Sequence, residues 1–371
     1  MSVKDDPLAP KLLPREIRLG EFVASSVGRQ PSSLNPWRTP ANPAARSIKY
    51  LFQRGGYVAL ILNACFFAFL AYWLRHNVEF ADLTLQLKQI PLQGILIAMT
   101  INLFVLLFYA SRISTLLGGG LLSSLMIATM GFSFNALMPF RAGEGVKIYF
   151  GHSYYDYSIG GMSAAVLLEK LYDATAIVVV SLVILAASHA SLVEPRILIA
   201  AAAAIFLVFC ALLVLRRKGA LWTLPESRFV KAARLDAFFK QAGLLVAGHS
   251  AARTAFITAA IWTTNVCLVY VVFKTLLPEI DVDVVHAMTI LTIGALAIAV
   301  PSSPAGLGIF EAGIVAYLVN TYGVQKERAI SAALAYHFSI TAPHTLIVVG
   351  FLGMALFRWL KERARLMTPS R

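Results

Sequence analysis

Charge is what this sequence is short of. Only 14% of its 371 residues are Asp, Glu, Lys or Arg, and 58% are hydrophobic. A soluble domain carries roughly a quarter charged residues, so a soluble protein is excluded. Cysteine is rarer still. Cys65, Cys210 and Cys267 lie in apolar runs and share no metal-ligand spacing, so neither a disulfide framework nor a cysteine metal site is expected. The seven histidines are scattered, and His337 and His344 alone share a helical repeat, for which a packing or loop role is expected. No metal or other cofactor is implied. The chain opens without an apolar core of signal-peptide type.

In place of charge there are apolar runs. Mean hydropathy is +0.72, and runs of about 20 residues, the length that crosses a bilayer, recur along most of the chain. The expected fold is all-α: a polytopic membrane helix bundle of about 6–8 spans, with both termini cytoplasmic. Its net charge of +13 does not point to nucleic acid, because the basic residues gather at the ends and in one loop. Residues 1–50 read as a cytoplasmic, disordered basic tail, 51–360 as the membrane domain, and 361–371 as a second basic tail. Within the domain, 216–253 is a basic loop with interleaved aromatics. Such clusters mark cytoplasmic loops and attract anionic lipids.

The first span is placed at 56–74, behind Arg46, Lys49 and Arg54, which sets the amino terminus inside. The next returns over 91–110, and Arg112 reads as its cytoplasmic flank. Three apolar segments then precede the basic loop, so one of them should enter and leave on the same side. Segment 121–150 is the candidate, because it is broken. Segments 284–300 and 309–322, at about 14–17 residues, fall short of a full span. They read as a second re-entrant pair, entering from the outside. Two breaks from opposite faces would form an inverted repeat. Whether Pro343 kinks one long helix or separates two stays open.

Both breaks carry polar residues. In SFNALMPFRAGEGVKIYF, residues 133–150, the apolar run stops at Pro139 and passes Arg141, Gly143 and Glu144 before resuming beyond Lys147. Proline removes a backbone donor and glycine loosens the chain. The second break, PSSPAGLGIFE at 301–311, repeats the recipe with Pro304, Gly306, Gly308 and Glu311. Broken backbone at membrane depth is tolerated only where protein or water covers it. Two interrupted segments in corresponding halves point to a transport site. Between them, 159–187 carries Glu169, Lys170 and Asp173 inside an apolar run, where charges usually face the bundle interior and pair.

With SR at 111–112, NALMPFRAGE at 135–144, EKLYD at 169–173 and PSSPAGLGIFE at 301–311, the chain resembles the lysylphosphatidylglycerol synthase transmembrane (flippase-like) family. That family includes the flippase region of the bacterial multiple peptide resistance factor. Order and spacing agree over about residues 50–360. Lys170 stands where the family usually has arginine, which is the better bidentate partner for carboxylate or phosphate, and the family often has another arginine near Lys147. The resemblance implies a bacterial cytoplasmic-membrane protein that translocates a lipid. Only a short basic tail follows Leu360, so translocation without lipid synthesis is expected.

The substrate implied is a phospholipid or a polyprenyl-linked lipid, with an anionic, aminoacylated or glycosylated headgroup. Arg141 and Lys147, with the half-helix starts at Gly143 and Gly308, are the expected phosphate ligands. Glu144 and Glu311 would pair with those bases, or with an amine or hydroxyl of the headgroup, and Asn135 would cap the break or donate to the headgroup. For Glu169, Lys170 and Asp173, holding helices in register stands equally beside substrate binding. Two other functions compete: a membrane enzyme on lipid-linked substrates, and an accessory subunit of a cell-envelope pathway. The enzyme would need a general base or metal-binding carboxylates, and no Asp-x-Asp pair accompanies Glu144 or Glu311. A homo-oligomer is compatible with the sequence.

Overall fold

In the computed structural model, residues 80–138, 141–188, 194–218, 242–243, 249–299 and 303–367 are described, together with positions 61, 64, 65, 68, 72 and 75. Most of the expected first span, tail 1–50, most of the basic loop, Pro139 and Pro301 lie outside the described residues. Ten α-helices and no strand occur among those described. They are α1 (Phe80–Lys88), α2 (Leu92–Leu117), α3 (Leu121–Leu137), α4 (Gly143–Tyr155) and α5 (Ile159–Ser188) in the first half. After them come α6 (Pro195–Lys218), α7 (His249–Leu276), α8 (Val284–Ala299), α9 (Ile309–Tyr322) and α10 (Lys326–Met367).

Among the described residues, six stretches are long and apolar enough to cross a membrane: α2, α5, α6, α7, α10, and α9 together with the turn before it. The chain is thus a multi-pass membrane protein. Taken alone, α9 has 14 residues and rises about 21 Å, short of the roughly 30 Å hydrocarbon core. Helices α3, α4 and α8, with 17, 13 and 16 residues, fall short as well.

These short helices pair as hairpins, α3 with α4 and α8 with α9. Met138, before Pro139, is extended at φ −120° and ψ 143°, the region a following proline enforces. The chain then passes through Arg141 at φ 56°, a left-handed conformation that few non-glycine residues adopt. Close approach holds each hairpin shut. A Cβ on Gly143 would strike the Gly131 carbonyl and Asn135, and one on Gly313 or Gly294 would strike Ile293 or Phe310.

Each hairpin sits between two long helices, α2 and α5 in one half, α7 and α10 in the other. The packing between halves is reciprocal: α3 lies on α10, α8 lies on α5, and α2 crosses α7. This exchange is what a pseudo-twofold repeat produces. One apolar core joins α2 to α5 around Ile127, Met162 and Leu168, and another joins α7 to α10 around Leu268, Phe273 and Phe310.

One sequence expectation changes, and the question left open at Pro343 is answered. Arg112 is not a cytoplasmic flank. It is 1% exposed, inside a helix that runs on to Leu117 through the buried Ile113 and Leu116. The count of crossings that made 121–150 re-entrant loses this marker, although the break itself is present. Pro343 lies within one continuous helix, α10.

Candidate functional site

A cavity of about 470 Å³ lies between the halves. The two breaks meet at its edge. Arg141 donates from Nη1 to the Ala299 carbonyl at the end of α8, at 3.4 Å, and α3 packs on the 3-10 turn Pro304–Gly306. Of the residues expected at a site, Asn135, Arg141, Glu144, Lys147, Lys170 and Asp173 line the cavity.

The charged groups form one connected network. Arg112 forks onto Asp173, at 2.7 Å from Nη1 and 3.1 Å from Nη2, while its guanidinium stacks 4.9 Å above the Tyr109 ring. Trp262 Nε1 donates to the same carboxylate at 3.4 Å. Behind them Glu169, 1% exposed, takes the Lys147 ammonium at 2.9 Å and stands 3.8 Å from Arg112. Lys147 is also 3.6 Å from Glu144, which takes Lys170 at 2.6 Å. Buried charges persist only when paired and hydrogen-bonded, and here each carboxylate of the network has at least one cation.

Arg141 is the exception. No carboxylate among the described residues lies within ion-pair distance of it, and its Nε is buried without a partner. Arg112, Arg141, Lys147 and Lys170 face three carboxylates, Glu144, Glu169 and Asp173, so the network holds one uncompensated positive charge at the junction of the breaks.

The half-helix starts are already occupied. The Gly143 N–H donates to Asn135 Oδ1 at 2.8 Å, and Asn135 Nδ2 donates to Glu144 Oε1 at 3.3 Å. At the second break the Gly308 N–H donates to Glu311 Oε2 at 2.7 Å. These two backbone donors are therefore spent inside the protein. Asn135 caps the first break, and Lys147 is committed to two carboxylates. Glu311 pairs with His337 on α10, not with Arg141 or Lys147. Gly143, Glu169, Pro304, Gly306, Gly308 and Glu311 do not line the cavity, whereas Ala305 does.

Sequence reasoning missed several lining residues: Arg112, Tyr109, Trp262, Asn265, His337 and His344. The signal for Arg112 was available. The apolar pattern continues beyond it to Gly118, so the arginine sits inside a helix rather than at its end. His337 and His344 share a face seven residues apart, a spacing equally common in packing residues.

Fold and cavity together define a polytopic α-helical membrane protein with a charged interior chamber between two broken hairpins. The family described as the lysylphosphatidylglycerol synthase TM region matches residues 58–361. The chain belongs to that family and is thereby a membrane protein of a lipid-related class. No curated protein matches it.

Proposed function

We propose that the chain moves a lipid with an anionic, phosphate-bearing headgroup between the leaflets of a bacterial cytoplasmic membrane, as a translocator and not an enzyme. Arg141 carries this reading. A guanidinium held at a helix break, buried at Nε and without a carboxylate, is a receptor for a phosphate that the empty protein does not supply. The uncompensated charge of the network fits one negative charge on the guest. Moving a bare charge into hydrocarbon costs several kcal/mol, at least about 2.5–3.5 on insertion scales. A chamber whose mainly apolar wall carries Arg141, Lys147 and Lys170 offsets part of that cost while the acyl chains stay in lipid. Lys170, whose side chain is 35% exposed, would exchange Glu144 for the phosphate as the headgroup passes.

Reconstitution tests this. Purified protein in liposomes would be given headgroup-labelled phosphatidylglycerol, its lysyl ester and a polyprenyl-phosphate sugar, and leaflet accessibility followed over time. Movement of at least one lipid by the wild type, lost in Arg141→Ala with folding intact, is expected. A wild type that moves none of the panel would favour the accessory-subunit or enzymatic reading.

A further inference from the structure

We propose that Glu311 and His337 form a proton-binding site that takes up one proton with each headgroup entering the cavity. This rests on the reading of the cavity as a headgroup passage, and it adds the ion that the passage is coupled to.

The pair is built to hold protons away from bulk water. Glu311 is 8% exposed and His337 4%. Glu311 Oε2 accepts the Gly308 N–H, and Oε1 is hydrogen-bonded to His337 Nδ1. The Phe310 ring lies 4.4 Å from the imidazole, centroid to centroid. Nδ1 and both carboxylate oxygens are thus engaged. His337 Nε2 is not: it is buried, has no partner, and belongs to a side chain that lines the cavity. It is the one atom of the pair left to answer to what the cavity holds.

The protons balance as follows. With one proton, on Nδ1, the pair carries one negative charge and Nε2 offers a lone pair, which repels an anion. A second proton, added at Nε2, gives an imidazolium against a carboxylate. The pair is then neutral overall and Nε2 becomes a donor. An anionic headgroup binds the second form better, so binding and proton uptake strengthen each other by linkage. Release of the headgroup returns the proton.

Other groups bordering the cavity are differently placed. Among the described residues, α2 brings Tyr109 and Arg112, α4 brings Glu144 and Lys147, and α5 brings Lys170 and Asp173. Each of these carboxylates is already ion-paired. Arg141 comes from the first break, and α10 itself adds Tyr336 and His344. Helices α3, α7 and α8 bring no titratable side chain. His344 is the other imidazole, and no carboxylate among the described residues lies within ion-pair distance of it, which makes it the control.

The test is calorimetry. The full chain in nanodiscs would be titrated with dihexanoyl-phosphatidylglycerol in two buffers of different ionisation enthalpy, giving protons taken up per headgroup. About one is expected for the wild type, with affinity rising by up to about tenfold per pH unit of acidification across the uptake range. Uptake should vanish in His337→Gln and persist in His344→Gln. Binding without uptake in the wild type, or uptake that survives His337→Gln, overturns the proton site and leaves the headgroup passage standing. A wild type that binds no headgroup overturns both.

Discussion

Arg141→Gly separates a binding role from a structural one, because the structure assigns it a small effect on stability and a large one on transport. The native residue sits at φ 56°, and holding a non-glycine residue in the left-handed region costs about 1–3 kcal/mol. Glycine removes that strain. Against this gain stand about 0.5–1 kcal/mol for the greater freedom of glycine in the unfolded chain. The lost contact is one 3.4 Å hydrogen bond to Ala299, worth about 0.5–1.5 kcal/mol at most. No ion pair is broken. The terms largely cancel, leaving a sum within about 2 kcal/mol of zero. Thermal unfolding in nanodiscs should therefore show a transition close to wild type, while lipid movement in liposomes is lost. Destabilisation beyond about 3 kcal/mol, the loss expected when a buried pair is broken, would mean that Arg141 holds the breaks together and would refute the argument. Full transport in a stable Arg141→Gly protein would refute it from the other side.

Arg112 should behave in the opposite way. Arg112→Met strands Asp173 beside Trp262 alone, and breaking a buried pair costs about 3–5 kcal/mol, so unfolding in denaturant should shift accordingly. Arg112→Met with Asp173→Leu should recover much of the loss; a double variant as unstable as the sum of the singles would sink this prediction. In the turn after α7, outside the membrane-spanning segments, the Glu279 carboxyl is held below its ordinary range by the Arg328 guanidinium, hydrogen-bonded at 2.9 Å, and Arg328 also reaches Gln86 in α1. A lowered folded-state value stabilises the protein above the usual carboxylate pKa of 4.5 and ceases to do so as pH falls through that range. The acid limb of thermal stability should therefore be shallower in Arg328→Ala. An unchanged limb would assign it to other groups.

Much of the fold was legible in the sequence because hydrophobic run length and helix-breaking residues are local signals. Pro139 sets Met138 extended whatever surrounds it, and an apolar run of about 20 residues reads as a span in any fold. Partnership is not local. Glu169, Lys170 and Asp173 were recognisable as interior charges, but their partners, Lys147, Glu144 and Arg112, come from other helices. Arg112 was misread because a lone arginine near a helix end obeys the positive-inside pattern, and only the packing of α2 on α5 and α7 shows it to be buried. The half-helix starts looked open to a ligand. That Asn135 and Glu311 fill them depends on side-chain rotamers that residue order does not specify. Composition likewise gave no reason to single out His337 until Glu311 lay against it.

The two self-capped breaks have a consequence for selectivity. A receptor that grips phosphate with backbone amides has a mould of fixed size and rejects what does not fit. Here the Gly143 and Gly308 amides are spent on Asn135 and Glu311, so what remains to greet a guest is the ends of long, jointed side chains, Arg141 and Lys170. Such ends reach near or far at little cost. On the proposed translocator reading, such a chamber would sort headgroups by charge and be lenient about shape, so a set alike in phosphate and unlike in bulk is expected to pass at graded rates instead of one passing alone.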